Sequence, residues 1–240
     1  MKKIIMGALM LGAVISTQAV NAQKLNTLSS KEKKQGWKLL FDGTSTNGWH
    51  SYNQSSASPA WKVVDGAIAL DQSAKKNGAP GGDLVTNDEY ENYEFTIDWK
   101  ISEAGNSGVI FSVHEDPSLS QSYLTGPEMQ VLDDDKHPDG KNIKHNAGDL
   151  YDMIQAPKRM AKPVGQWNTA KIIKKDGHLT LWLNGTKTAE TTMGTPEWDA
   201  LVAGSKFKNW KEFGKYQKGR IALQDHGNDV WYRNIKIREL

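Results

Sequence analysis

Tyr93-Glu94-Phe95-Thr96-Ile97-Asp98-Trp99-Lys100-Ile101 alternates without a break. Successive side chains of a strand point to opposite faces, so Tyr93, Phe95, Ile97, Trp99 and Ile101 share one face. Glu94, Thr96, Asp98 and Lys100 take the other. The run predicts a β-strand with one face in a core and one in water. Shorter runs flank it. Trp61–Leu70 reads as a hairpin about Asp65-Gly66, the strongest short hairpin signal. Asp176-Gly177 and Asn184-Gly185 punctuate Trp167–Thr192 in the same way. Gly36–Gly43 and Leu84–Thr86 are further strand candidates, residues 72–82 a loop. Gly108–His114, Gly126–Asp135, Gly219–His226 and Val230–Leu240 complete the set. Many short strands separated by turn signals predict an all-β jelly-roll sandwich. Residues 136–165 form a long loop, a feature that usually serves function. Residues 196–216, with Trp198, Phe207, Trp210 and Phe213, are the one short helical insertion.

The first residues read as a targeting segment. Lys2 and Lys3 precede an apolar stretch, Ile4–Ile15, too short to span a bilayer, and Val20-Asn21-Ala22 supplies small residues for cleavage. Residues 1–22 therefore read as a signal peptide and place the protein in the periplasm or outside the cell, with no Cys to carry a lipid. Residues 23–35 read as a polar leader or short helix, and 36–240 as one domain. Formal charge is +2 and falls to about zero without Lys2 and Lys3, which gives no electrostatic case for nucleic acid or an anionic membrane. With no cysteine, stability must come from the core rather than disulfides. Nine Trp and seven Tyr suit both a core and a sugar-binding surface.

Two strands pair an apolar face with a chemically active one. In Glu128-Met129-Gln130-Val131, Met129 and Val131 face inward while Glu128 and Gln130 face away. In Ile221-Ala222-Leu223-Gln224-Asp225-His226, Gln224 and His226 oppose Ile221 and Leu223. In one sheet these four polar residues could share a surface, where a carboxyl group and an imidazole can move protons near neutral pH. The competing reading is a solvated sheet face. Ser112 and His114 could join the surface from their own strand. His145 and Tyr151 lie in the long loop, where Tyr151 could stack on a sugar. Asp133-Asp134-Asp135 with His137 and Asp139 does not match a calcium loop. A divalent metal held by His114, Glu128 and His226 stays open, as does a metal-free site. The absence of phosphate-loop, dinucleotide and Gly-x-Ser-x-Gly motifs argues against a nucleotide or other organic cofactor and against a serine hydrolase.

The ordered set Trp37–Gly43, Gly48-Trp49, Asn106-Ser107-Gly108, Gly126–Asp133, Gly148-Asp149-Leu150-Tyr151-Asp152, Trp167-Asn168, Leu183-Asn184-Gly185, Leu223–Gly227 and Arg233–Ile237 resembles the 3-keto-disaccharide hydrolase family. The resemblance covers residues 36–240. It implies a concanavalin-like or laminin-G-like jelly roll, a secreted or periplasmic setting, and action on glycosides oxidised to a ketone at C3. A partner oxidoreductase would make such substrates. Many members carry Arg after the aromatic residue of the Asn-Ser-Gly strand; here Ser112 follows Phe111. The resemblance makes Glu128 and His226 the proton-transfer pair, with Gln130, Gln224, His114, His145 and Tyr151 as substrate contacts. Two alternatives remain: a non-catalytic carbohydrate-binding jelly roll, and a two-carboxylate glycosidase pairing Glu128 with Glu115, Asp133 or Asp225.

Overall fold

The computed structural model describes residues 24–240; the expected signal peptide lies outside the described residues. In chain order the strands are β1 (Lys38–Leu39), β2 (Trp49–Ser51), β3 (Trp61–Val64), β4 (Ala67–Leu70), β5 (Leu84–Thr86), β6 (Tyr93–Ile101) and β7 (Asn106–Val113). They continue with β8 (Glu128–Leu132), β9 (Asn168–Lys175), β10 (His178–Leu183), β11 (Thr186–Thr192), β12 (Arg220–Leu223) and β13 (Val230–Glu239). Among the described residues three short α-helices accompany them: α1 (Ser30–Lys34), α2 (Gln72–Lys76) and α3 (Pro196–Ala203). None is long and apolar enough to cross a membrane.

The strands form two antiparallel sheets. The larger runs β11-β10-β9-β6-β13-β4-β3, with β1 also on β13; the smaller runs β2-β5-β12-β7-β8. This is the jelly-roll sandwich expected from the sequence. Strand β6 occupies the middle of the large sheet and alternates as predicted: its five apolar residues are buried and its four polar ones half-buried. Opposite it, Val109, Phe111, Met129, Val131, Ile221 and Leu223 of the small sheet close the same core. Burying a side chain of this size contributes roughly 1.5–3 kcal/mol, so a core of this extent stands in for disulfides.

All three two-residue hairpin turns form where expected. Asp65 and Gly66 have φ of 50° and 71°, Asp176 and Gly177 50° and 78°, Asn184 and Gly185 49° and 83°. Positive φ at both central residues is the turn whose twist matches paired strands, and Asp-Gly or Asn-Gly meets it at low cost. Residues 72–82 depart from the expected loop, because Asp71 caps Ala74 N and opens α2. The strand expected across Gly36–Gly43 shrinks to Lys38–Leu39.

The segment read as a leader is tied into the domain. Ser29 and Glu32 form a capping box at α1. Asn234, at φ 52°, bulges from β13. Asn26 answers it: its Oδ1 accepts from Asn234 N at 2.8 Å, and its own N–H donates to Asn234 Oδ1 at 2.8 Å.

Candidate active site

The small sheet turns its second face away from the core. Register places Ile110 opposite both Glu128 and Ala222, and Gly108 opposite Gln130. Glu128, Gln130 and Gln224 therefore share that face, as the alternation predicted. They line a cleft of about 470 Å³ together with His226 and Tyr151.

Strand β8 is the sheet edge, and an exposed edge invites pairing. The long loop covers it. Gln130 N donates to Asp149 O at 3.1 Å, Gly148 N to Gln130 O at 2.8 Å and Tyr151 N to Glu128 O at 3.0 Å. This docking sets Tyr151 beside Glu128. The fully buried Asp149 carboxylate holds the turn by accepting from Asn146 N and Ala156 N, each at 2.7 Å. Asp133 and Asp134, from the acidic run, are also loop anchors: they accept from Ala104 N at 2.8 Å and Ala147 N at 2.7 Å.

Glu128 is 7% exposed. Its carboxyl group lies across Gly108, where any Cβ would overlap Oε1. Gln224 Nε2 donates to Glu128 Oε2 at 3.3 Å. Burial outweighs the nearby Lys206 ammonium and raises the Glu128 pKa to about 8. His226 moves the other way: burial first, then the neighbouring His137, hold it below 6.5. Near pH 7 the cleft therefore contains a protonated carboxylic acid and a neutral imidazole, two groups whose environments push them toward opposite roles.

The cleft wall comes from residues 196–216. A 3₁₀ turn at Lys206–Asn209 brings Lys206, Phe207 and Trp210 over the sheet face. The Lys206 ammonium sits 4.1 Å from the Tyr151 ring centroid. Phe207 packs on Trp210 at 5.0 Å, and Trp210 reaches Tyr123 at 5.7 Å, which makes an aromatic rim. Asn106 also lines the cleft, and its buried Oδ1 has no partner among the described residues; the same holds for Gln224 Oε1. A ligand that donates hydrogen bonds would satisfy both.

His145 stands behind the cleft rather than in it. Its ring packs on Tyr151 at 4.2 Å and its Nε2 pairs with Asp152 Oδ1 at 2.8 Å, so it braces the tyrosine. His114 is a correction. Strand β7 carries one extra residue against β12, with Ser112 at φ 54°. The bulge reverses the alternation beyond it. Val113 joins the small apolar cluster with Ile110, while His114 stacks on Tyr216 at 4.2 Å, away from the cleft. Ser112 is buried within the bulge. The proposed metal trio of His114, Glu128 and His226 is thereby separated. Among the described residues no three His, Cys, Asp or Glu side chains group as a metal site. His114, Glu128 and His226 therefore do not come together as one ligand set.

Sequence reading also missed Lys206, Asn106, Gln121 and Tyr123. The aromatic spacing of the insertion was the only available signal for its part, and it did not say which face the insertion would cover.

Fold and cleft define a class: a jelly-roll sandwich with an acid–base cleft on the free face of its smaller sheet. Residues 36–238 match the 3-keto-alpha-glucoside-1,2-lyase-like domain, and the chain belongs to that family. It is 34% identical to a 3-keto-disaccharide hydrolase of Bacteroides thetaiotaomicron, across 95% of this chain and 87% of that protein. Two crystal structures of candidate glycosyl hydrolases from Parabacteroides distasonis are similar. One superposes with a TM-score of 0.81 at 32% identity, covering 90% of this chain and all of that one. The other has a TM-score of 0.64 at 30% identity, covering 85% and 99%.

Proposed function

We propose that this chain cleaves 3-keto-glycosides by elimination across C1 and C2, followed by addition of water. Its family makes it a carbohydrate-acting hydrolase; the elimination route is the finer reading. The observation that carries it is the presence of buried Glu128 and His226 in one cleft, where burial pushes the carboxyl pKa up and the imidazole pKa down.

A ketone at C3 acidifies the proton on C2. His226 takes that proton, and the electron pair moves onto the C3 oxygen as an enolate. The Lys206 ammonium lines the same cleft and is the group to stabilise that oxygen; the neighbouring Tyr151 hydroxyl donates to Asp139 Oδ2 at 3.3 Å. The pair then returns to form the C1–C2 double bond, and the C1–O bond breaks. Glu128 gives its proton to the departing oxygen. Water adding across C1–C2 restores a 3-keto sugar, and the sum is hydrolysis. Asn106, Gln130 and Gln224 supply amides for the sugar hydroxyls. The substrate implies a separate enzyme that oxidises the glycoside at C3, and export would put both steps outside the cytoplasm.

The two-carboxylate alternative has little to build on. Glu115 is bound to His50 at 2.9 Å and to Asn53 N at 2.7 Å, and it does not line the cleft. Asp133 anchors a loop. Asp225 does line the cleft, but both of its oxygens accept from Lys75, at 2.6 and 2.7 Å.

The test compares a glucoside with its 3-keto derivative, with and without chelator. Release of the aglycone from the keto sugar alone supports the proposal. Cleavage of the unoxidised glucoside overturns it, and binding without turnover would make the chain a carbohydrate-binding module. Glu128→Gln and His226→Ala should each lower kcat at least a hundredfold without loss of the folded state by circular dichroism.

A further inference from the structure

A second cavity, of about 580 Å³, lies on the same free face of the small sheet, toward β2. It adjoins the cleft, because Gln121 and Asp225 line both. Register puts Tyr52 and Asp83 on the face that carries Gln224 and Glu128, since His50 and Ala222 both pair with Val85. The two hollows thus lie side by side along the sheet, with Asp225 and Gln121 in the wall they share.

This hollow is rich in hydroxyl and amide groups. Its three charged side chains, Lys75, Asp83 and Asp225, are all held by partners in the protein. Lys75 pairs with Asp225, and Gly82 N donates to Asp225 Oδ2 at 2.9 Å. Asp83 accepts from Ser122 Oγ and, at 2.8 Å, from Asp225 N. What remains for a ligand is Gln54, Ser55, Ser56, Ser120 and Gln121, beside the Tyr52 ring. A wall of hydroxyls and amides with one aromatic face, and no unspent charge, fits a neutral polyol.

The geometry points to a leaving-group subsite: the second cavity takes the sugar that departs from C1 of a disaccharide, while the acid–base cleft takes the oxidised ring. This rests on the elimination reading above and adds to it the place on the sheet where the departing sugar binds. Asp225 immediately precedes His226 in the chain, so the wall shared by the subsites also carries the catalytic imidazole. A filled second subsite would therefore fix the scissile bond beside the proton-transfer groups.

The experiment uses the full folded chain and two probes: a 3-keto-glucosyl-glucose disaccharide, and methyl 3-keto-α-glucoside, whose leaving group is too small to enter the second cavity. Ser56→Trp and Gln54→Trp each place a ring in that cavity from an exposed position. The ratio of kcat/KM for the disaccharide to that for the methyl glycoside should fall at least tenfold in both variants, mainly through KM. A ratio unchanged from wild type, including an equal loss on both probes, overturns the subsite. Failure of the wild type to cleave either keto probe overturns the functional reading beneath it, and is distinguishable because no variant is needed to see it.

Discussion

On the proposed mechanism, Glu128 and His226 set the working pH of the cleft. Below its depressed pKa, which lies under 6.5, His226 binds a proton and cannot serve as base. Above about 8 Glu128 loses its proton and cannot serve as acid. The profile of kcat/KM against pH should therefore be a bell with its plateau between these limits. His226→Ala with imidazole rescue should move the acidic limb; a limb unmoved by rescue would assign it elsewhere. Gly108 is the other decisive residue. Its φ is not in the left-handed region, so Ala is tolerated by the backbone, but the added Cβ occupies the place of the Glu128 carboxyl end. Gly108→Ala should cut kcat at least tenfold while Tm changes by only a few degrees. A variant with full activity would show that the carboxyl position is not needed.

At the scale of elements, the cleft is made by two irregular segments laid on a regular sheet. The loop around Gly148–Tyr151 continues the β8 edge through backbone hydrogen bonds, and the insertion drops Lys206 over Tyr151. The insertion is anchored by helix α3, whose N-cap Thr195 Oγ1 accepts from Trp198 N, and by Lys206 N donating to Asp152 Oδ2 at 2.6 Å. Lys206 is exposed at its own position, so its side chain can be changed without opening the core. Lys206→Met keeps the packing over Tyr151 and removes the charge. It should lower kcat on a 3-keto-glycoside tenfold or more with little change in KM, because the charge matters most when the enolate forms. An effect confined to KM would make it a ground-state contact.

For the whole molecule, closure depends on contacts between the chain ends. Asn26 is buried and bonds across to Asn234, while its Nδ2 donates to Gly66 O at 2.8 Å; nearby, Glu32 pairs with Lys236 at 2.8 Å. The N-terminal segment thereby fills the bulge in β13, a strand that pairs with β1, β4 and β6. Asn26→Ala would leave the Asn234 N–H and Gly66 O without these partners, at a cost of about 1–3 kcal/mol per buried group. Thermal unfolding should show a clear fall in Tm with kcat at room temperature near wild type, since the bulge is remote from the cleft. An unchanged Tm would mean that water replaces the asparagine.

Much of this protein was legible in one dimension. The period-two run of β6 gave its strand and its buried face, because alternation is imposed by the backbone itself. The Asp-Gly and Asn-Gly pairs located three hairpins, because few residues accept positive φ twice in succession. The same alternation put Glu128, Gln130 and Gln224 on one face, since register in an antiparallel sheet preserves the side on which each residue points. It failed at His114, where the single extra residue at Ser112 reverses every side chain that follows; a bulge is a property of two paired strands and leaves no periodic trace in either alone. Lys206, Asn106 and the partition into two adjoining hollows were decided only by tertiary structure. Their positions depend on where an irregular insertion and a long loop come to rest on the sheet, and that is fixed by contacts between residues far apart in the chain.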